Sequence, residues 1–352
     1  MAMSGVRYVE VVRPWQATDL VAEVYRDVRR EFGLLADPRN GRSPYIAHSP
    51  APELLAAAWS LHYETALVGA IRRADKEALA AAISASNACR YCLDAHAVLA
   101  HTADAEPSGR LPRGMMPQAA GTWQQQLIAW GRATRSPDDP LLAQPPFTAA
   151  EAPEILGTAL VFHYINRVVE VFLGPEGILP TTAGLSRLTQ TAMSFLSRRA
   201  MRRARLPGHS LHLVPHANAP AGWDLDWAAP SPHITAAVRG MAAAVEHAAE
   251  PVISPPIRKR MAAVLGAWRG EEPGLSRVWL DEELTGLNAR TVPVLRIALL
   301  TALAPQRLNA QDVSKFRAVY PADRDLVVTV AWSAFHAAAR ISEWLIRPEV
   351  TG

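Results

Sequence analysis

Cysteine is nearly absent from this 352-residue chain, which holds only Cys89 and Cys92. Two cysteines in one turn cannot staple a chain of this length, so a disulfide framework is excluded. Charge of one sign is also scarce. The net charge is +3, with 20% charged and 49% hydrophobic residues, which fits a folded globular chain and argues against disorder. No apolar run reaches bilayer length, because the longest, from Val292 to Pro305, is interrupted by Arg296. The first ten residues lack a charged-then-apolar export pattern, so the expected compartment is the reducing cytoplasm, with no membrane partner. Missing too are a G-x-G-x-x-G after a strand, a P-loop, an H-E-x-x-H and a nucleophile-elbow serine. Nucleotide, flavin and serine-hydrolase chemistry has no support, and no cofactor is expected.

What remains reads as all-α. Stretches rich in Ala, Leu, Arg and Glu at helical spacing are broken by Pro and Gly clusters, without sustained period-2 alternation. Helices are expected over about Thr18 to Glu31, stopping near Gly33, and after Ser49-Pro50-Ala51-Pro52, where Ser49 can cap. Others are expected over Lys76 to Ser86 and from the cysteine pair onward. The Thr148–Glu151 capping-box spacing opens one more, through Phe172. Connectors are expected at 105–117, 136–146 and 207–232. Five arginines crowd Ser197 to Arg205, read here as a solvated face or linker, and no nucleic-acid partner is expected.

The two halves resemble each other. Phe162-His163 with Arg167 returns as Phe335-His336 with Arg340 at the same spacing. Aligning Ser86–Val98 with Thr301–Val313 puts Ala304, Arg307 and Gln311 where the first half has Cys89, Cys92 and His96. This order predicts a tandem duplication with a silent second copy: an active unit over 15–180, a linker over 181–230 and a degenerate unit over 231–352. Recurrence of His163 and Arg167 in the silent half points to a structural role for both, whereas Asn166 lacks a counterpart and is a candidate to face the site.

In a reducing compartment a C-x-x-C pair is either redox-active or half of a metal site. Asn87 is the expected N-cap, which places both cysteines in the first turns of a helix, where free N–H groups and the helix dipole favour a thiolate. His96, four residues after Cys92, shares its face and can take its proton directly or through a water. Glu77, twelve residues before Cys89, falls on the preceding helix, from which its carboxylate can orient His96. A zinc site needs four ligands, and only Glu77 or His101 would join this set.

The pattern Glu77-x11-Cys89-x2-Cys92-x3-His96 resembles the AhpD-like alkylhydroperoxidases of the carboxymuconolactone decarboxylase-like family. Ala82-Ile83-Ser84, Asn87, Asn166-Arg167 and Leu127 to Pro137 are similar to that family as well, so the likeness covers about residues 18 to 175. The resemblance implies two related all-helical AhpD-like units packed together, the second degenerate. It implies a peroxidase in which Cys92 is the peroxidatic thiolate, Cys89 the resolving thiol, His96 the base and Glu77 the end of a proton relay. It also implies a hydroperoxide substrate, a dithiol electron donor such as a lipoyl or thioredoxin-like protein, and a homo-oligomer. The best-known members carry a histidine between the cysteines, where this chain has Tyr91. Two alternatives stay open: a thiol–disulfide oxidoreductase or repurposed biosynthetic enzyme, and a non-catalytic redox-responsive or metal-binding protein.

Overall fold

The computed structural model describes residues 5–33, 37–38, 43–104, 122–173, 199–201, 203–214, 224–274 and 276–346. Among them every regular element is helical and no strand occurs. The expected connector at 105–117 lies outside the described residues, as do positions 215–223 of the one at 207–232; the connector at 136–146 is described throughout and holds a short turn, Pro140–Ala143.

The first helix, α1, runs Asp19–Phe32 and stops at Gly33, whose φ of 60° suits a residue without a Cβ and whose N–H reaches the Arg29 carbonyl. Next comes α2 (Pro52–His62), with Pro52 at a position where no N–H is needed. Ser49 does not cap it: its hydroxyl donates to the Ile46 carbonyl and accepts the Val12 N–H, tying the N-terminal strap to the turn Pro44–His48. A single wide turn, Tyr63–Leu67, leads to α3 (Arg73–Ser86), which forms a hairpin with α4 (Arg90–Asp104). α5 (Thr122–Ala133) packs on the other side of α3. There Gly131 allows close approach: a Cβ would lie 2.7 Å from Leu79 Cδ1 and 3.1 Å from Ala82 Cβ, so the Leu79 side chain would have to shift.

α6 (Ala152–Phe172) is the axis of the molecule and is buried along its whole length. The Thr148–Glu151 spacing does not build a full capping box: α6 starts at Ala152, and Glu151 accepts both the N–H and the hydroxyl of Thr148, which caps no backbone N–H among the described residues. α6 is the one described helix long and apolar enough to cross a membrane, and its apolar window is wholly covered by protein. The second half supplies α7 (Pro232–Ala249), α8 (Pro255–Ala267), α9 (Val278–Leu284), α10 (Thr291–Leu303), α11 (Ala310–Arg317) and α12 (Asp323–Leu345). The order helix, tight break, helix, long helix in α10–α11–α12 parallels that of α3, α4 and α6, with α5 an additional helix in the first half. The long members, α6 and α12, lie against each other, and α7 covers α2.

The segment between the halves is docked where it is described. Arg205, from the arginine cluster, is buried against Glu31 of α1 at 2.7 Å rather than solvated. Buried Glu64 accepts the N–H groups of Gly208 and Ser210 and the Ser210 hydroxyl. A cavity of about 480 Å³ opens in the second half between Ile257, Arg290 and Tyr320.

Candidate active site

The α3–α4 hairpin brings Glu77 and His96 together. His96 Nδ1 lies 2.5 Å from Glu77 Oε2, and the other carboxylate oxygen accepts from Nε of Arg73, one turn earlier on α3. Burial alone would push the Glu77 carboxyl up. The Arg73 guanidinium, then His96, overcome it and hold Glu77 at about 2. Glu77 is therefore an anion at neutral pH, and it fixes His96 with Nδ1 facing the carboxylate, leaving Nε2 as the other proton-handling nitrogen. The His96 ring also stands edge-on to Phe162 of α6, centroids 4.4 Å apart.

The cysteines are free thiols and are nearly sealed, at 1% exposure for Cys89 and 3% for Cys92. Asn87 is not the N-cap of their helix. It closes α3, and its amide turns to Nδ1 of His163. Ala88 then takes a left-handed φ of 56°, the Cys89 N–H returns to the Ser84 carbonyl, and α4 starts at Arg90. Cys89 itself thus occupies the cap position, and its sulfur accepts the Cys92 N–H at 3.4 Å. The helix terminus does not make Cys89 a thiolate. Burial, followed by the neighbouring Cys92, pushes its thiol well above the usual range. Among the described residues no direct hydrogen bond joins His96 to Cys92.

Several neighbours have no local signature in the sequence. Glu170 of α6 is buried near Cys89; burial pushes this carboxyl up, while the Cys89 thiol and Arg7 pull it down. Tyr45 is close enough to Cys92, Glu77 and Arg73 to feel their charges. His62 stacks on Trp59, interplanar angle 9°, and meets Phe162 edge-on at 5.5 Å. Burial, then Arg73, lowers His62 to about 3, so it is neutral.

His163 and Arg167 lie outside this cluster and hold helices together. His163 Nε2 meets the Thr134 hydroxyl at 2.9 Å, and Arg167 donates to the Ala302 and His163 carbonyls. Asn166 accepts the Ser84 hydroxyl at 3.2 Å, behind the hairpin. His101 is half-buried on the far stretch of α4. Among the described residues no group of three or more His, Cys, Asp or Glu side chains is arranged to hold a metal ion.

The family model for carboxymuconolactone decarboxylases matches residues 52–108, the stretch that carries Glu77, Cys89, Cys92 and His96. A curated protein from Mycobacterium tuberculosis, described as an alkyl hydroperoxide reductase, is 37% identical over 344 residues, 97% of this chain and 96% of its own length. The chain belongs to the carboxymuconolactone decarboxylase family. Membership agrees with the all-helical architecture and with the likeness of its motifs to the AhpD-like members. The relative's coverage also extends through the second half, so both halves are shared and not only the cysteine-bearing one.

Proposed function

We propose that the protein is a thiol-dependent alkyl hydroperoxidase working through Cys92 and Cys89. The observation that carries this reading is the Arg73–Glu77–His96 chain set one helical turn from a buried C-x-x-C pair. It is a base-and-orienter arrangement applied to a sulfur nucleophile. The relative described as an alkyl hydroperoxide reductase supports the same chemistry.

His96, oriented by anionic Glu77, takes the Cys92 proton through a bridging water. The Cys92 thiolate attacks the terminal oxygen of a hydroperoxide and becomes a sulfenic acid. The O–O bond breaks, and the departing alkoxide takes the proton back from His96 as an alcohol. Cys89 then attacks the Cys92 sulfenic acid, forming the disulfide and releasing water. Glu170, beside the Cys89 thiol, takes its proton in that step and passes it to the departing hydroxide, which leaves as water. An external dithiol reduces the disulfide, a lipoyl or thioredoxin-like protein being the donor of fitting chemistry. Because both sulfurs are almost fully covered, that donor requires the start of α4 to open. The chain works as an active unit (15–180), a connector (181–230) and a packing unit without chemistry (231–352), inside the cell and as a homo-oligomer.

The test is hydroperoxide consumption coupled to a dithiol, on the wild type and on Cys92→Ser and Cys89→Ser. Turnover that survives Cys92→Ser rules the mechanism out. Stoichiometric oxidation without turnover by any dithiol would instead make the pair a sensor.

A further inference from the structure

The buried polar atoms around the Glu77–His96 pair are not all accounted for by the relay. Arg73 spends only Nε on Glu77, and its Nη1 and Nη2 are buried without a hydrogen-bond partner among the described residues. Both ring nitrogens of His62 are in the same condition. The two side chains are 9% and 3% exposed. They share a wall: the Arg73 guanidinium lies 5.1 Å from the Phe32 ring centroid, and the His62 ring lies 5.7 Å from that same ring. His62 also shares Phe162 with His96, at 5.5 and 4.4 Å. Buried donors and acceptors left unpaired are costly and rare in folded proteins, and a set of four beside the Glu77–His96 pair calls for a ligand.

We propose that Arg73 and His62 form the oxygen-binding subsite of this enzyme, which takes the peroxide group of an uncharged organic hydroperoxide. The inference rests on the peroxidase reading and deepens it.

The complementarity is one of donors and acceptors. Arginine offers donors only, whereas neutral imidazole offers one donor and one acceptor. A hydroperoxide, R–O–O–H, has two acceptor oxygens and one O–H to give. In this arrangement the two Arg73 Nη groups donate to the inner oxygen and the terminal O–H donates to His62. When the Cys92 sulfur bonds to the terminal oxygen, the O–O electron pair passes to the inner oxygen. That oxygen then carries negative charge against the guanidinium until His96 returns its proton. Arg73 is thus placed where charge develops, in a water-poor setting that strengthens the interaction. The charge balance sets the ligand class. Arg73 is already neutralised by Glu77, and His62 stays neutral, so a carboxylate bound here would bury a second anion next to Glu77. The rings of Phe32, Tyr45, Trp59 and Phe162 around His62 favour an apolar carbon group over hydrogen peroxide.

Binding is measured by calorimetric titration of cumene hydroperoxide into full-length Cys92→Ser, which cannot react. Adding His62→Phe keeps the ring's size and its stack on Trp59 while removing both nitrogens. The affinity is expected to fall about tenfold, the effect of one buried hydrogen bond. The melting temperature should hold or rise, because two unpaired polar atoms are gone. Arg73→Lys, which keeps the charge beside Glu77 but loses the fork, is the second variant and is expected to weaken binding as well. Unchanged affinity in His62→Phe, or tighter binding of benzoate than of cumene hydroperoxide, overturns the proposal. Failure of the wild type to turn over cumene hydroperoxide with dithiothreitol would refute the peroxidase reading separately, since the titration needs no turnover.

Discussion

Glu77→Gln tests the electrostatic account of the site most directly. The carboxyl is held at about 2 against the usual 4.5, and it is buried, so solvent does not dilute the effect. That lowering is worth about 3 kcal/mol of folding stability at neutral pH. A depressed carboxyl contributes fully above its unfolded value, near 4.5, and the contribution is lost as pH falls toward 2. Between pH 7 and pH 3 the loss amounts to about 2 kcal/mol for this one group. Glutamine keeps the shape but cannot ionise, so the variant should lack that portion of the acid sensitivity. At pH 7 it should be less stable by about 3 kcal/mol or more, because Arg73 loses its buried counter-charge. Urea unfolding followed by tryptophan fluorescence at the two pH values measures both quantities. Hydroperoxide turnover should drop on the order of 10²-fold as His96 loses its orienting anion. If wild type and variant lose the same stability between pH 7 and pH 3, the carboxyl is not held as described and the relay loses its electrostatic basis.

Cys89→Ser should consume one equivalent of hydroperoxide and stop, with a sulfenic acid on Cys92 that dimedone traps in mass spectrometry; absence of the adduct would reassign the two sulfurs. Glu170→Gln should leave that first equivalent as fast as in the wild type and slow disulfide closure, read as longer-lived dimedone labelling; unchanged closure excludes Glu170 as the proton acceptor. The native Cys89 thiol, pushed up by burial, should resist iodoacetamide at pH 7 and label only as pH rises well into the alkaline range. Gly131→Ala should cost about 1–3 kcal/mol in chemical denaturation, because its methyl would press on Leu79 Cδ1 at 2.7 Å; a neutral result would mean α5 is free to shift off α3.

The parts of the site legible in the sequence are those written at helical spacing on one hairpin. Glu77, Cys89, Cys92 and His96 sit at fixed intervals on α3 and α4, so their convergence follows from local geometry. Arg73 stands four residues before Glu77, a separation that Arg90 and Asp94 share on α4, where the arginine is exposed. Spacing does not tell the two pairs apart; the arginine's burial does, 9% exposed for Arg73 against 60% for Arg90. His62, Tyr45, Phe162 and Glu170 arrive from other elements, so only tertiary packing reveals them. Asn87 was misplaced for a different reason. Asn suits either end of a helix, and the left-handed residue that separates α3 from α4 is Ala88, a type that rarely takes that conformation and so leaves no mark.

The hydrogen bond from Arg167 to the Ala302 carbonyl has a consequence for how the chain came to be built. Ala302 lies at the end of α10, two residues before Ala304, the position that corresponds to Cys89. Where the first half holds its cysteine pair, the second presents a helix end that the central helix α6 grips through Arg167. Trp268 beneath the Arg167 guanidinium and the Trp344 indole on the Thr134 carbonyl extend that grip. The stretch of the second half that aligns with the cysteine turn thus serves as a fastening between the two halves.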